Sequence, residues 1–249
     1  MPMNEALRAE WETAGYSSAC GSAAVIPPPA QEFVRVYHIT SAEYAISNIG
    51  LGRIKVARFS DLNDPFELMA ANFREKQVRK IVRDFKNAYD SHTGLLCFSA
   101  DWTNPVLWSH YGAKHRGVCL GFNLKRTLSQ KVHYEDERLL LHLSEHGELG
   151  TIDDDLRDLL LCTKSRYWNY EQELRVFVPL EDARQEGRLH FYPFNQDLHL
   201  AEVILGPQCT LSLDAVRKLT KARQPNAVTY QARLAWKWFS VVPQESTVP

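Results

Sequence analysis

Two acidic residues, Glu171 and Glu173, are separated by one residue in a segment that is rich in aromatic side chains. Together with Arg175 they alternate along the chain, so in a strand the three side chains would share one face. Two carboxylates this close repel each other, which can raise the pKa of one of them and suit it to proton transfer. The same pattern fits a solvated strand face with cross-strand ion pairs. Both interpretations are open at this stage.

A histidine and a threonine lie in a second segment that could do chemistry. His38 ends the alternating segment 33–38, and Thr40 lies three residues before Glu43, which is a capping-box pattern for a following helix. A histidine at the end of a strand can bind a ligand, but it can equally be a core residue that is bonded to the backbone.

The third segment combines Ser99, at the end of an apolar run, with Trp108 and Tyr111. Asn104 and Pro105 provide an N-cap and a first-turn proline for a helix that carries both aromatic residues. Their rings are suited to stacking on a planar ligand. They are equally suited to an apolar core.

Short, bounded strands dominate the elements that must position these segments. Strands are predicted over 33–38, 53–57, 95–99, 117–122, 174–178 and 202–206, and helices after Thr40 and over 73–89, 104–111, 151–166 and 213–222. No glycine-rich dinucleotide or phosphate-binding motif follows a strand. The helices are too few to cover both faces of a parallel sheet, so the sequence predicts a strand-dominated α+β fold.

Length and composition are those of a globular protein. The chain has 249 residues, 45% of them hydrophobic and 24% charged, with 29 Lys+Arg against 30 Asp+Glu. These values exclude wholesale disorder, a fibre and a uniformly basic nucleic-acid-coating protein. No apolar run approaches the ~18 residues of a membrane span, and the first residues do not resemble a signal peptide. A cytoplasmic protein without membrane contact is expected.

The chain is predicted to form one domain with two appendages. Residues 1–32 are interpreted as an acidic leader with a polyproline spacer, 33–239 as a single domain and 240–249 as a tail. The five cysteines form no CxxC pair and are interpreted as reduced thiols. No metal site is predicted, because the spacing of His142 and His146 lacks the glutamate pattern of a zinc protease.

Residues 215–238 contain six basic residues and no acidic residue, and they end in Trp236 and Trp238. Basic residues interleaved with aromatic rings suit contact with RNA or DNA. The other interpretation is a basic helix face followed by a core strand.

Three motifs resemble those of a bacterial family called "domain of unknown function 2971". They are Leu-Asn-Asp-Pro-Phe-Glu at 62–67, Trp-Ser-His-Tyr at 108–111 and Trp-x-Tyr-Glu-x-Glu-x-Arg at 168–175. This resemblance extends over residues 34–210.

The segments 37–40, 96–101 and 171–173 also resemble the ADP-ribosyltransferase fold, in which split antiparallel or mixed β-sheets carry flanking helices. The resemblance implies NAD as the substrate, with no metal, and transfer of ADP-ribose to a protein or nucleic-acid acceptor. It also implies the role of a toxin or phage-defence effector. The alternatives are a non-catalytic nucleotide-binding sensor domain and a nucleic-acid-binding module.

The same resemblance implies roles for individual residues. Glu173 would be catalytic and would stabilise the oxocarbenium-like cation that forms when the nicotinamide–ribose bond breaks. Glu171 would orient or deprotonate the acceptor. The implied NAD-binding residues are His38, Thr40, Ser99, Trp108 and Tyr111, of which Trp108 and Tyr111 would stack on the nicotinamide.

Overall fold

Strands dominate the computed structural model of the chain, which describes residues 25–64, 66–67, 76–138 and 154–248. The strands are β1 (Phe33–Thr40), β2 (Arg53–Val56), β3 (Thr93–Ser99), β4 (Val118–Lys125), β5 (Gln130–Lys131), β6 (His133–Glu135), β7 (Thr163–Ser165), β8 (Glu173–Pro179), β9 (Arg184–Glu186), β10 (Leu189–Pro193), β11 (Leu198–Leu205), β12 (Val228–Leu234) and β13 (Val241–Pro243). The α-helices are α1 (Ala42–Leu51), α2 (Lys76–His92), α3 (Pro105–His110), α4 (Asp154–Leu161) and α5 (Leu213–Arg223). The predicted α+β class is confirmed.

Eight strands form one mixed sheet in the order β13-β12-β11-β4-β1-β3-β8-β5. Neighbours are antiparallel except β11 and β12, which are parallel. Two smaller sheets, β2-β10-β9 and β6-β7, lie beside it. None of the described helices is long and apolar enough to cross a membrane.

The large sheet is nearly divided between β1 and β3. Every residue of β1 pairs with β4, whereas β1 meets β3 only at Tyr37↔Ser99. Ser99 in turn pairs with Glu173 at the start of β8. The register therefore brings the ends of β1, β3 and β8, which carry the three predicted segments, to one level of the sheet.

The core has two sides because successive side chains of a strand point to opposite faces. Val36 and Leu120 belong to the larger cluster, which includes Ile49 of α1 and Val216 of α5. Ile39 belongs to the second cluster, which includes Trp102, Trp108, Cys119 and Ile204. The two clusters hold β1 and β4 firmly at the centre of the sheet.

Several predicted boundaries need correction. The N-cap of α1 is Ser41 rather than Thr40, since the Ser41 hydroxyl accepts the Tyr44 N–H at 3.3 Å. The helix predicted over 151–166 ends at Leu161, and Thr163–Ser165 forms β7 instead. Val241–Pro243 pairs with β12, so the sheet continues into the predicted tail.

Some predictions fall outside the described residues, namely residues 1–24 of the leader, with Cys20, and the pair His142 and His146. The described part of the leader, 25–32, contains no helix or strand. Cys97, Cys119, Cys162 and Cys209 are free thiols.

Candidate functional site

A cavity of about 190 Å³ lies where β1 and β3 separate. Its floor is apolar and comes largely from β3 and from Ile54 of β2. The cavity is lined by five of the seven sequence-predicted site residues: His38, Ser99, Tyr111, Glu171 and Glu173. Thr40 and Trp108 do not line it.

His38 bridges the division of the sheet. Its Nδ1 lies 3.3 Å from the backbone carbonyl of Cys97 on β3, so Nδ1 is the donor and Nε2 remains an acceptor. Burial lowers the pKa of the His38 imidazole, and the bond to the Cys97 carbonyl offsets only part of this effect. A neutral histidine with one free acceptor atom therefore lines the cavity.

Tyr111 is positioned by α3, which begins as predicted: the Asn104 side chain accepts the Val106 N–H at 2.9 Å and Pro105 occupies the first turn. The Tyr111 hydroxyl donates a short hydrogen bond to Glu171 and accepts one from the Asn63 amide at 3.2 Å. Burial and then the Glu171 carboxylate raise the pKa of Tyr111. The phenol therefore remains a proton donor.

Glu171 and Glu173 do not alternate along one strand, which corrects the prediction. Glu171 ends the 3₁₀ helix Arg166–Glu171, Gln172 has a left-handed backbone with φ of 43°, and β8 begins at Glu173. The Gln172 carbonyl accepts the Ala100 N–H at 3.0 Å, which fixes this turn against the end of β3. The turn directs both carboxylates to one point. They are 5% and 4% exposed, so the face is not solvated.

Lys164 of β7 holds the two carboxylates together. Its Nζ lies 2.8 Å from Glu171 and 2.9 Å from Glu173, and it lines the cavity. Burial alone would lower the pKa of Lys164, but the surrounding carboxylates, Glu173 first, raise it. Lys164 is therefore a charged ammonium group in the interior.

Arg175 provides the second cation and has no exposed surface. Its guanidinium donates to both oxygens of Glu173, at 3.0 and 3.1 Å, and to Glu67 at 2.6 Å. Burial would raise the pKa of Glu173, but Arg175 and then Lys164 outweigh it and lower that pKa to about 2. The predicted upward shift through repulsion does not apply to Glu173.

The cluster is negative overall in formal charge. Three carboxylates, those of Glu67, Glu171 and Glu173, face the two cations Lys164 and Arg175. Such a cluster is costly to bury, and removing one partner leaves an uncompensated charge. Of these five groups, Glu171, Glu173 and Lys164 line the cavity, and two carboxylates beside one ammonium group suit a cationic ligand.

Three of the predicted residues, including Ser99 in the cavity wall, make contacts that stabilise the fold. Trp108 is 0% exposed and its indole N–H donates to the Trp102 carbonyl at 2.6 Å, so its ring belongs to the core. Thr40 is buried at the end of β1, paired with Val118. The Ser99 hydroxyl donates to the Asp101 carbonyl at 2.7 Å and accepts the Asp101 N–H at 3.0 Å, which stabilises the turn after β3.

Sequence reasoning missed Lys164 and the part played by Glu67. Lys164 stands in no motif, and no local spacing marks it. Glu67 ends the motif at 62–67, and Arg175 ends the motif at 168–175. A distant ion pair between these two oppositely charged residues was the signal that could have been found.

The lowered pKa of Glu173 predicts how the stability of the protein depends on pH. Its native pKa of about 2 lies below the ordinary 4.5, so its ionisation stabilises the fold above pH 4.5, and this contribution is lost as the pH falls towards 2. We expect the free energy of unfolding to fall more steeply over this range for the wild type than for Glu173→Gln, measured by denaturant titration at successive pH values. Glu181→Gln, at an exposed position, should follow the wild type. Parallel curves for Glu173→Gln and the wild type would contradict the pairing.

Comparison with known proteins gives one match, to a family model. No curated protein and no solved structure matches the chain. Residues 107–176 match the family model described as "Protein of unknown function (DUF2971)". The matched segment contains Tyr111, Lys164, Glu171, Glu173 and Arg175, so the similarity includes most of the buried charge cluster. Over this segment the chain is similar to the DUF2971 family.

Proposed function

We propose that the cavity binds NAD and that the protein cleaves the nicotinamide–ribose bond and transfers ADP-ribose to a protein or nucleic-acid acceptor. The observation that carries this proposal is the convergence of His38, Tyr111, Glu171 and Glu173 on one cavity. These residues come from three separate segments of the chain. The near-division of the large sheet between β1 and β3 supports an ADP-ribosyltransferase-like arrangement.

The charge of the cluster supports the same chemistry. Cleavage of the nicotinamide–ribose bond builds an oxocarbenium-like cation, as in glycoside hydrolysis. Carboxylates that are fixed before the reaction stabilise such a cation without reorganisation. Glu173 is ionised at neutral pH because its pKa is about 2. Glu171, Glu173 and Lys164 line the cavity, so these three groups give its wall a formal charge of −1.

Four of the residues that line the cavity have a role in this proposal. Glu173 stabilises the developing cation, and Glu171 orients the acceptor group. The ring of Tyr111 stacks on the nicotinamide while its hydroxyl holds Glu171 in place. His38 accepts a hydrogen bond from a ribose hydroxyl through Nε2.

The size of the cavity limits which part of NAD it can enclose. At about 190 Å³ it is smaller than the roughly 300–1,000 Å³ of typical ligand pockets. The enclosed part is therefore the nicotinamide with its ribose. The pyrophosphate and adenosine extend beyond the opening.

One observation favours a second function, nucleotide binding without turnover. Both oxygens of Glu173 are bonded to Arg175, and Lys164 is bonded to both carboxylates. A carboxylate that is already neutralised in this way stabilises a cation less than a free one does. A sensor domain that binds the nucleotide would retain the cavity without needing a free carboxylate.

Incubation with labelled NAD tests the proposal. We expect the wild type to release nicotinamide, and to transfer label in cell extract, at a rate that Glu173→Gln lowers by about 100-fold or more, since loss of one preorganised electrostatic group typically costs this much. Glu181→Gln is the matched exposed control.

The result also separates the two functions. If neither nicotinamide release nor label transfer depends on Glu173, the enzymatic proposal is wrong. Saturable NAD binding by calorimetry that is weakened by His38→Ala, in the absence of turnover, would identify the non-catalytic function instead.

A further inference from the structure

The loop between β12 and β13, residues 235–240, presents large apolar side chains to solvent. We call it the aromatic loop. Trp236 is 89% exposed and Phe239 is fully exposed, and Leu234 at the end of β12 is 51% exposed. Single exposed apolar residues are common, but a cluster of this kind marks an interaction surface.

The backbone of the aromatic loop is held by hydrogen bonds at its base. The Ala235 N–H donates to the Ser240 carbonyl at 2.9 Å, which closes the loop, and the Val241 N–H donates to the Thr103 carbonyl at 2.8 Å, which anchors it. β13 is the edge strand of the large sheet, so the loop projects from the edge.

Basic residues lie in the aromatic loop and in the grooves beside it. A groove of about 600 Å³ beside it is lined by Arg233, Trp236, Lys237 and Trp238, and the Arg233 guanidinium lies 5.9 Å from the centre of the Trp236 ring. Val248 lines this groove and also a second one, which contains two further basic residues, Arg217 and Lys221. Among the described residues that line the two grooves, Glu245 is the only acid.

We infer that this surface binds single-stranded nucleic acid, with bases stacked on Trp236 and Phe239 and phosphates held by Arg233 and Lys237. Stacking needs base faces that are accessible only in an unpaired strand, whereas a duplex offers mainly its phosphates. The near-zero net charge of the whole chain does not oppose this, because the charge is segregated: residues 215–238 carry six basic residues and no acid. The inference is independent of NAD binding at the cavity.

Fluorescence anisotropy of the full-length protein with labelled oligouridylate and oligothymidylate of about 16 nucleotides, the upper site size for a small binding module, tests the inference. We expect Trp236→Ala and Phe239→Ala each to weaken binding by about tenfold, the effect of losing one stacked base. Lys237→Gln should reduce the slope of log affinity against log salt by about 0.7, the value for one phosphate contact on a single strand.

Matched controls keep the test specific. Tyr167 is 91% exposed outside this surface, so Tyr167→Ala should bind as the wild type does. Glu245→Gln should tighten binding slightly because it removes the acid from the groove.

Four outcomes would overturn the inference. They are no binding at low salt, equal affinity of wild type and Trp236→Ala, equal affinity for a duplex of the same length, and a wild-type dimer that Trp236→Ala converts to a monomer without any nucleic-acid binding. The last outcome would identify a second copy of the chain as the partner.

Discussion

Replacing Arg175 with leucine is expected to lower the free energy of unfolding by about 3–5 kcal/mol, the cost of leaving a buried charge without its partner. Arg175 has no exposed surface and donates to both Glu67 and Glu173. Its loss leaves the buried carboxylates of Glu67 and Glu173 with Lys164 as their one cationic partner among the described residues. Denaturant unfolding monitored by tryptophan fluorescence measures the effect.

Two further variants make this prediction specific. Arg188→Leu, at an exposed position, should change the free energy of unfolding by less than about 0.5 kcal/mol. The double variant Arg175→Leu with Glu67→Leu should be more stable than the sum of the two single changes predicts, because it removes both members of one pair. An Arg175→Leu protein as stable as the wild type would show that the cluster does not form.

Replacing Trp108 with alanine is expected to cost about 3–5 kcal/mol of stability, the usual penalty for truncating a large buried aromatic residue. Trp108 is fully buried and packs with Ile39, Trp102 and Ile204. The change also removes its hydrogen bond to the Trp102 carbonyl. Thermal and denaturant unfolding give the loss of stability directly.

Tyr111→Ala is the matched comparison, because the two aromatic residues lie three apart but have different surroundings. Tyr111 lines the cavity, so its loss should weaken NAD binding by calorimetry and cost less stability than the loss of Trp108. If Trp108→Ala instead kept the stability of the wild type and lost only NAD binding, the sequence-based stacking role of Trp108 would be right and its placement in the core wrong.

Local pattern was sufficient for most of the longer elements of the fold, whereas most of the short strands were not predicted. The cap formed by Asn104 and Pro105, the apolar run that became β3 and the helix over 213–222 all depend on neighbouring residues, and the structure has each of them within a few positions. The errors lie where a local pattern had two solutions. Thr40 and Ser41 are both good N-caps, and only the pairing of Thr40 with Val118 in the sheet decides between them.

The candidate site was less predictable because its electrostatics are long-range. The alternation of Glu171, Glu173 and Arg175 suggested one strand face, but a left-handed residue at Gln172 interrupts it. The repulsion expected between the carboxylates is outweighed by Arg175 and Lys164, and no motif marked Lys164.

By itself, the sequence determined the α+β class, the positions of six of the thirteen strands in the described residues and the residues that could do chemistry, because alternation, capping and residue type act over a few neighbouring positions. Only the tertiary structure decided which of them meet. Arg175 and Glu67 are 108 residues apart in the chain, and their contact depends on how the strands pair. The same strand pairing places Arg175 and Lys164 beside Glu173, and these two cations keep its carboxylate ionised although burial alone would raise its pKa.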